Sequence, residues 1–299
     1  MGSRRRLILC AVGSALGRAS QARLYERVEP VMGTLVQAQL YAPSLEEAAG
    51  AFNAAFARAR AIEAILSDYE PDSETNRLCR AGGGRVSTEL FTVLEAARRI
   101  YQESKGAFDV TAGALFRLWR ECRRRRILPD AAELARVRTR CGWRHVRLDA
   151  AGRTVFLSRT DMIFDFGGIG KGYAADEMLA ALRQRGLGAA LIAASGDIVA
   201  GDAPPGRPGW RVRAAASGET VLLSGRAMST SGDSEQFVEI GGVRYSHIVD
   251  PRSGMALRNS AAVTVIAPSG ILADAWATAD SVTVAAGGRP RYGKAGRHR

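Results

Sequence analysis

A chain of 299 residues with 46% hydrophobic residues is long enough to bury a sizeable core, as one large domain or two tightly joined lobes. The formal charge of +12 first suggests nucleic acid, but Arg4, Arg5, Arg6 and Arg18 lie at one end and Arg289, Arg291, Lys294, Arg297 and Arg299 at the other, with no acid in either end segment. The body between them is only weakly positive, which excludes the broad basic footprint of a nucleic-acid binder.

The N-terminus has the layout of an export signal: a basic stretch, an apolar run from Leu7 to Leu16, then small residues ending at Ala22, after which cleavage is expected. Ser3-Arg4-Arg5-Arg6-Leu7-Ile8 is arranged like a twin-arginine signal, which routes proteins that fold before crossing the membrane. The expected location is therefore the bacterial periplasm or the outer face of the inner membrane. The run is too short for a spanning helix, so membrane association is expected only through an uncleaved N-terminus. Cys79, Cys122 and Cys141 follow without CxxC spacing, so neither a disulfide framework nor a zinc site is indicated.

The first folded element reads as a strand from Val31 to Leu40. A long helix starts near Ser44, where Ser44-Leu45-Glu46-Glu47 forms a capping box and Phe52, Phe56, Ala59, Ile62 and Leu66 share one face. A turn-rich stretch from Asp68 to Glu74 ends it, and Leu90, Val93, Leu94, Ala97 and Ile100 mark a second helix. Gly106-Ala107-Phe108-Asp109 reads as a loop, and Arg117, Arg120 and Arg123 to Arg126 form a local basic cluster, read as a solvated loop or alternatively as a surface for phosphates or an acidic partner protein. Asp130 with Glu133 can cap a third helix.

Short strands are expected at Val146–Leu148, Thr154–Leu157 and Met162–Phe164, interrupted by the glycine-rich segment Asp165 to Gly172. From Lys171 the period becomes helical until Gly186. Strands then accumulate at Leu191–Ala194, Trp210–Ala214, Val221–Leu223, Phe237–Ile240 and Ala261–Ile266, with a last helix near Ile271. Helices early and strands late argue an α+β fold rather than a doubly wound parallel sheet.

Asp165 to Gly172 sits between strand and helix, where backbone N–H groups attract phosphate. A P-loop in this frame needs glycine at Asp165 and a hydroxyl residue at Gly172; a Rossmann loop started at Gly168 needs glycine at Tyr173. Both templates fail. Ser195 and Ser231 lack the glycines of a nucleophile elbow, and His145, His247 and His298 are too far apart for the usual zinc motifs. Hard oxygen ligands remain: Asp274 and Thr278, four apart on a helix, suit Mg²⁺ shared with substrate phosphates, or alternatively a helix cap with a buried threonine. His247, beside Ser246 and Asp250, is either a structural hydrogen-bonder or a proton acceptor.

Met32-Gly33-Thr34, Tyr69 to Glu74, Ala107-Phe108-Asp109, Asp165 to Asp176, Ala227 to Gly232, Ser246 to Pro251 and Ala273 to Thr278, in that order, resemble the FAD:protein FMN transferase family, the ApbE-like flavin transferases. The resemblance implies an α+β, T-fold-like domain over residues 23–279 holding FAD in a cleft between two lobes. It puts Met32, Tyr69, Ala107, Phe108, Asp109, Asp165, Lys171 and Val249 at flavin- or nucleotide-contacting positions. It puts Gly168, through its carbonyl, with Asp274 and Thr278 at Mg²⁺ positions, and His247 where the acceptor is activated.

The implied reaction moves FMN from FAD to a Thr or Ser hydroxyl of an acceptor protein and releases AMP. The alternatives are an FAD pyrophosphatase giving FMN and AMP, or a non-catalytic flavin-binding protein. Two departures stand out. Cys79 occupies a position where the family carries an Asn near the cofactor. After Ala279 the family runs on through an apolar helix and a last strand, whereas residues 280–299 turn Gly- and Arg-rich and look like a truncated or frame-shifted end.

Overall fold

The computed structural model describes residues 22–232, 236–258 and 261–297; the export-signal pattern in residues 1–21 lies outside them. In chain order the elements are β1 (Arg23–Val31), β2 (Thr34–Ala42), α1 (Leu45–Leu66), α2 (Glu74–Ala81), β3 (Gly83–Arg85), α3 (Thr88–Glu103), α4 (Gly113–Arg125) and α5 (Ala131–Arg138). They continue with β4 (Val146–Asp149), β5 (Thr154–Leu157), α6 (Gly170–Arg183), β6 (Ala190–Ala194), β7 (Asp197–Ala200), β8 (Trp210–Arg213) and β9 (Thr220–Leu223). The last are β10 (Arg226–Ser231), β11 (Phe237–Ile240), β12 (Val243–Ser246), β13 (Ala261–Ala267), α7 (Gly270–Ala285) and β14 (Lys294–Arg297).

The frame is a seven-stranded sheet in the order β1-β2-β6-β7-β10-β13-β14, antiparallel throughout. Period-2 burial along β2 turns Val36, Ala38, Leu40 and Ala42 inward, where they meet Phe52, Phe56, Ile62 and Leu66 of α1. α6 packs beside α1 and α7 over that face. The β8–β9 hairpin brings Trp210, Val212 and Leu223 against Leu191 and Met228, which point away from the main core. The fold is α+β, as expected.

Several expectations change in detail. The strand Val31–Leu40 is two strands, because Met32 (φ 56) and Gly33 (φ 69) both adopt positive φ and form the two-residue turn that matches strand twist. The basic loop is the helix α4: Leu115, Trp119 and Cys122 recur every three to four residues and are buried, and Trp119 Nε1 donates to the Gly254 carbonyl at 2.8 Å. Its arginines include both exposed and inward-turned members, so charge alone concealed the period. Met162–Phe164 alternates in burial but joins no ladder among the described residues; the carbonyl of Ile163 within it and the N–H of Asp165 just after it instead bond the turn at residues 110–113. The residues after Ala279 continue α7 to Ala285 and end in β14, which pairs with β13 from Ala261↔Arg297 to Thr264↔Lys294.

Candidate active site

The glycine-rich segment leaves the extended chain at Phe166 and enters α6 at Gly170, which puts Lys171 in the first helical turn. Its Nζ donates to the Gly167 carbonyl at 2.8 Å and stands 3.2 Å from Asp197 Oδ2 and 3.7 Å from Asp274 Oδ2. Burial opposes the ammonium charge, but Asp274 and Asp197 outweigh it and hold Lys171 protonated above its ordinary range. Asp197, at the start of β7, accepts the Ser229 hydroxyl of β10 at 2.5 Å. Asp274 accepts the Gly172 N–H at 3.1 Å; burial and the Asp197 charge push its carboxyl upward.

Gly172 is required here. A Cβ on it would fall 2.1 Å from the Gly270 carbonyl oxygen, so only glycine lets α6 approach the start of α7 this closely. The approach puts Asp274 and Thr278 beside the glycine-rich segment, and a Cβ on Gly168 would meet Thr278 Oγ1 at 2.9 Å.

Among the described residues, Asp274 Oδ1 and Thr278 Oγ1 make no hydrogen bond, and no group of three or more His, Cys, Asp or Glu is placed to hold a metal. One carboxylate and one hydroxyl, with the Gly168 backbone close to Thr278, form a sparse set of hard oxygens. That set fits Mg²⁺, which keeps waters and takes substrate phosphate oxygens rather than a complete protein cage.

Ala107, Phe108, Asp109, Asp165, Gly168, Val249 and Thr278 line one pocket together with Phe116. Asp109 caps the short 3₁₀ turn Val110–Ala112, its Oδ1 accepting the Thr111 N–H at 2.9 Å and the Thr111 hydroxyl at 2.6 Å. Burial outweighs those bonds and pushes its carboxyl up to about 6. Asp165 is tied at both ends: its N–H donates to the Val110 carbonyl at 2.8 Å, and its Oδ1 accepts the Gly167 N–H at 2.8 Å.

Tyr69 does not line this pocket but a second cleft with Asp68, Arg117 and Arg120, and Arg120, a residue outside the expected set, joins the two through Asp165. Arg120 of α4 donates to Asp165 Oδ2 and, at 2.8 Å, to Asp68 Oδ2, and its guanidinium lies 4.8 Å from the Tyr69 ring centroid. The sequence signal for it was the Leu115–Trp119–Cys122 period, which makes the segment helical; the two aspartates it meets are tertiary neighbours. Met32 lies near α6, its Cε 3.6 Å from a Cβ built on Gly170.

His247 follows β12, and its Nδ1 is 3.1 Å from the Gln236 carbonyl oxygen. A carbonyl only accepts, so Nδ1 carries the proton and Nε2 the lone pair. Two residues on, Val249 lines the pocket. Cys79 is 6% exposed within the hydrophobic core and is absent from the pocket lining. The amide that holds the turn after α1 is Asn76, whose Nδ2 donates to the Glu70 carbonyl at 2.8 Å.

Fold and pocket together define a class: an α+β enzyme with an ammonium, buried carboxylates and a hydroxyl gathered where two helices meet, a set suited to phosphate esters. The ApbE family model matches residues 32–289. An FAD:protein FMN transferase of Treponema pallidum (strain Nichols) is 36% identical over 298 residues, covering 91% of this chain and 82% of that protein. One of Klebsiella pneumoniae (strain 342) is 32% identical over 234 residues, covering 73% and 67%. The solved flavin transferase ApbE of Vibrio cholerae superposes with a TM-score of 0.74 at 26% identity, covering 87% of each chain. The ApbE protein of Thermotoga maritima gives 0.79 at 26% identity, covering 88% of each. The chain belongs to the ApbE family, and it is an enzyme of the flavin transferase class.

Proposed function

We propose that this protein, acting after export, moves FMN from FAD to a Thr or Ser hydroxyl of an acceptor protein and releases AMP, with Mg²⁺ as the required ion. The observation that carries this reading is the convergence of Lys171, Asp274 and Thr278 where α6 meets α7, beside the pocket lined by Phe108, Asp165 and Val249. Its relatives are FAD:protein FMN transferases, which supports FAD as the substrate and a protein as the acceptor.

The acceptor oxygen forms a bond to the FMN phosphorus of FAD, and the bond from that phosphorus to the bridging oxygen breaks, so AMP departs with that oxygen. His247, with its proton fixed on Nδ1 by the Gln236 carbonyl, takes the hydroxyl proton at Nε2. Lys171 is held cationic by Asp197 and Asp274 and offsets negative charge on the departing phosphate. Asp274, Thr278 and the Gly168 carbonyl would hold Mg²⁺, which when bound adds positive charge at the pyrophosphate oxygens.

Two variants test the assignments. His247→Ala should abolish acceptor labelling while FAD still binds; unchanged labelling would remove the base role. Asp274→Ala should lose both rate and response to added Mg²⁺, and a normal Mg²⁺ titration would refute that ligand.

A further inference from the structure

We propose that Arg120 is a positioning residue for the flavin substrate: it clamps Asp165, which lines the pocket, to Asp68 and holds Tyr69 in the neighbouring cleft that Asp68, Tyr69 and Arg120 line, so that this side of the site is formed before substrate arrives. The proposal rests on the flavin-transfer reading above. Arg120 differs from Arg124 and Arg125 on α4, which are exposed: it is half-buried and its guanidinium reaches carboxylates on two separate segments. Asp68 belongs to the turn after α1, and Asp165 opens the glycine-rich segment that leads to Lys171.

The two aspartate side chains are largely buried and close enough for each to feel the other's charge; burial and Asp165 together push Asp68 upward. One guanidinium fork spans both, which a lysine cannot do. Because Asp165 Oδ1 also accepts the Gly167 N–H, the clamp reaches the loop that orients Lys171. Tyr69 is 74% exposed, and its ring lies against the same guanidinium. Without Arg120, two facing carboxylates repel, and Asp165 and Tyr69 lose their common anchor. Ordering them then falls to the substrate, which weakens binding more than it slows chemistry.

The test measures FAD binding by quenching of flavin fluorescence, together with steady-state transfer, for the wild type, Arg120→Ala, Arg120→Lys and the double variant Arg120→Ala/Asp68→Asn. Arg120→Ala should raise Kd and KM for FAD by about tenfold or more while kcat stays within about threefold. Arg120→Lys should recover only a minor part of that loss. Adding Asp68→Asn to Arg120→Ala should cost little more, because the pair acts as a unit. Wild-type FAD affinity in Arg120→Ala overturns the proposal. A fall in kcat and melting temperature with KM unchanged also overturns it, by reducing Arg120 to structural support. A wild-type protein that does not bind FAD removes the flavin reading itself and the proposal with it.

Discussion

Asp176 on α6 holds the N-terminus of α7, accepting the Gly270 N–H on Oδ1 at 2.7 Å and the Ile271 N–H on Oδ2 at 2.9 Å. Ser269, in the N-cap position of α7, makes no side-chain cap bond, so the cap comes from another helix. That tie fixes the helix carrying Asp274 and Thr278 against the one carrying Lys171. Asp176→Ala should cost about 1–3 kcal/mol, measured as a lower denaturation midpoint, with Asp176→Asn costing less because one acceptor remains. An unchanged midpoint in the alanine variant would show that α7 is held elsewhere.

Gly172→Ala should be more damaging. The added methyl meets the Gly270 carbonyl and lies 2.8 Å from Asp274 Cβ, so backbone has to move. We expect a loss of roughly 3 kcal/mol, read as a lower melting temperature and reduced soluble yield. A variant as stable as the wild type would mean that the two helices are not in this contact.

The tail is anchored by one buried carboxylate. Asp280, 2% exposed, accepts the Arg291 N–H on Oδ1 at 2.9 Å and the N–H groups of Tyr292 and Gly293 on Oδ2 at 2.9 and 2.7 Å. The ring contact between Trp276 and Tyr292, 4.7 Å between centroids, closes the same turn. In Asp280→Asn one oxygen becomes an NH₂ group facing donors. Amides at 291–293 and along β14 should then exchange with deuterium at least about tenfold faster, for a loss of roughly 1–3 kcal/mol. Unaltered exchange there would contradict the anchor.

Asp109 predicts a pH effect. Its folded carboxyl is raised to about 6 from an ordinary 3.8. The folded state therefore binds the proton more tightly, and this group's penalty, roughly 3 kcal/mol at most, is present above about pH 6 and relieved as pH falls toward 4. Asp176, also raised to about 6 by burial, acts with the same sign. Melting temperature measured from pH 7 to 4 should improve relative to Asp109→Asn as pH falls through that window. A difference that stays flat would show that Asp109 titrates near its ordinary value.

Much of this was legible in the chain because local physics dictated it. Ser44 does cap α1 by accepting the Glu47 N–H, Asp130 caps α5, and Asp274 and Thr278 share a helix face at four-residue spacing. What stayed hidden depends on distant pairing. The Asp68 and Asp165 contacts of Arg120 cross 52 and 45 residues of sequence, and a run of arginines looks solvated until its tertiary partners are known. Asp197 carried no motif, yet it holds Lys171 because β7 and β10 place it opposite Ser229. β14 was illegible because its ladder is made by backbone groups, which Gly and Arg composition does not report.

The most direct test of the account is intact-mass spectrometry of an acceptor protein with an exposed Thr, incubated with this enzyme, FAD and Mg²⁺, with AMP quantified in the same reaction. The acceptor should gain one FMN less one water, one AMP should appear per label, and replacing the acceptor Thr by Val should remove both the label and the matching AMP. AMP accumulating at the same rate beside an acceptor of unchanged mass would contradict it.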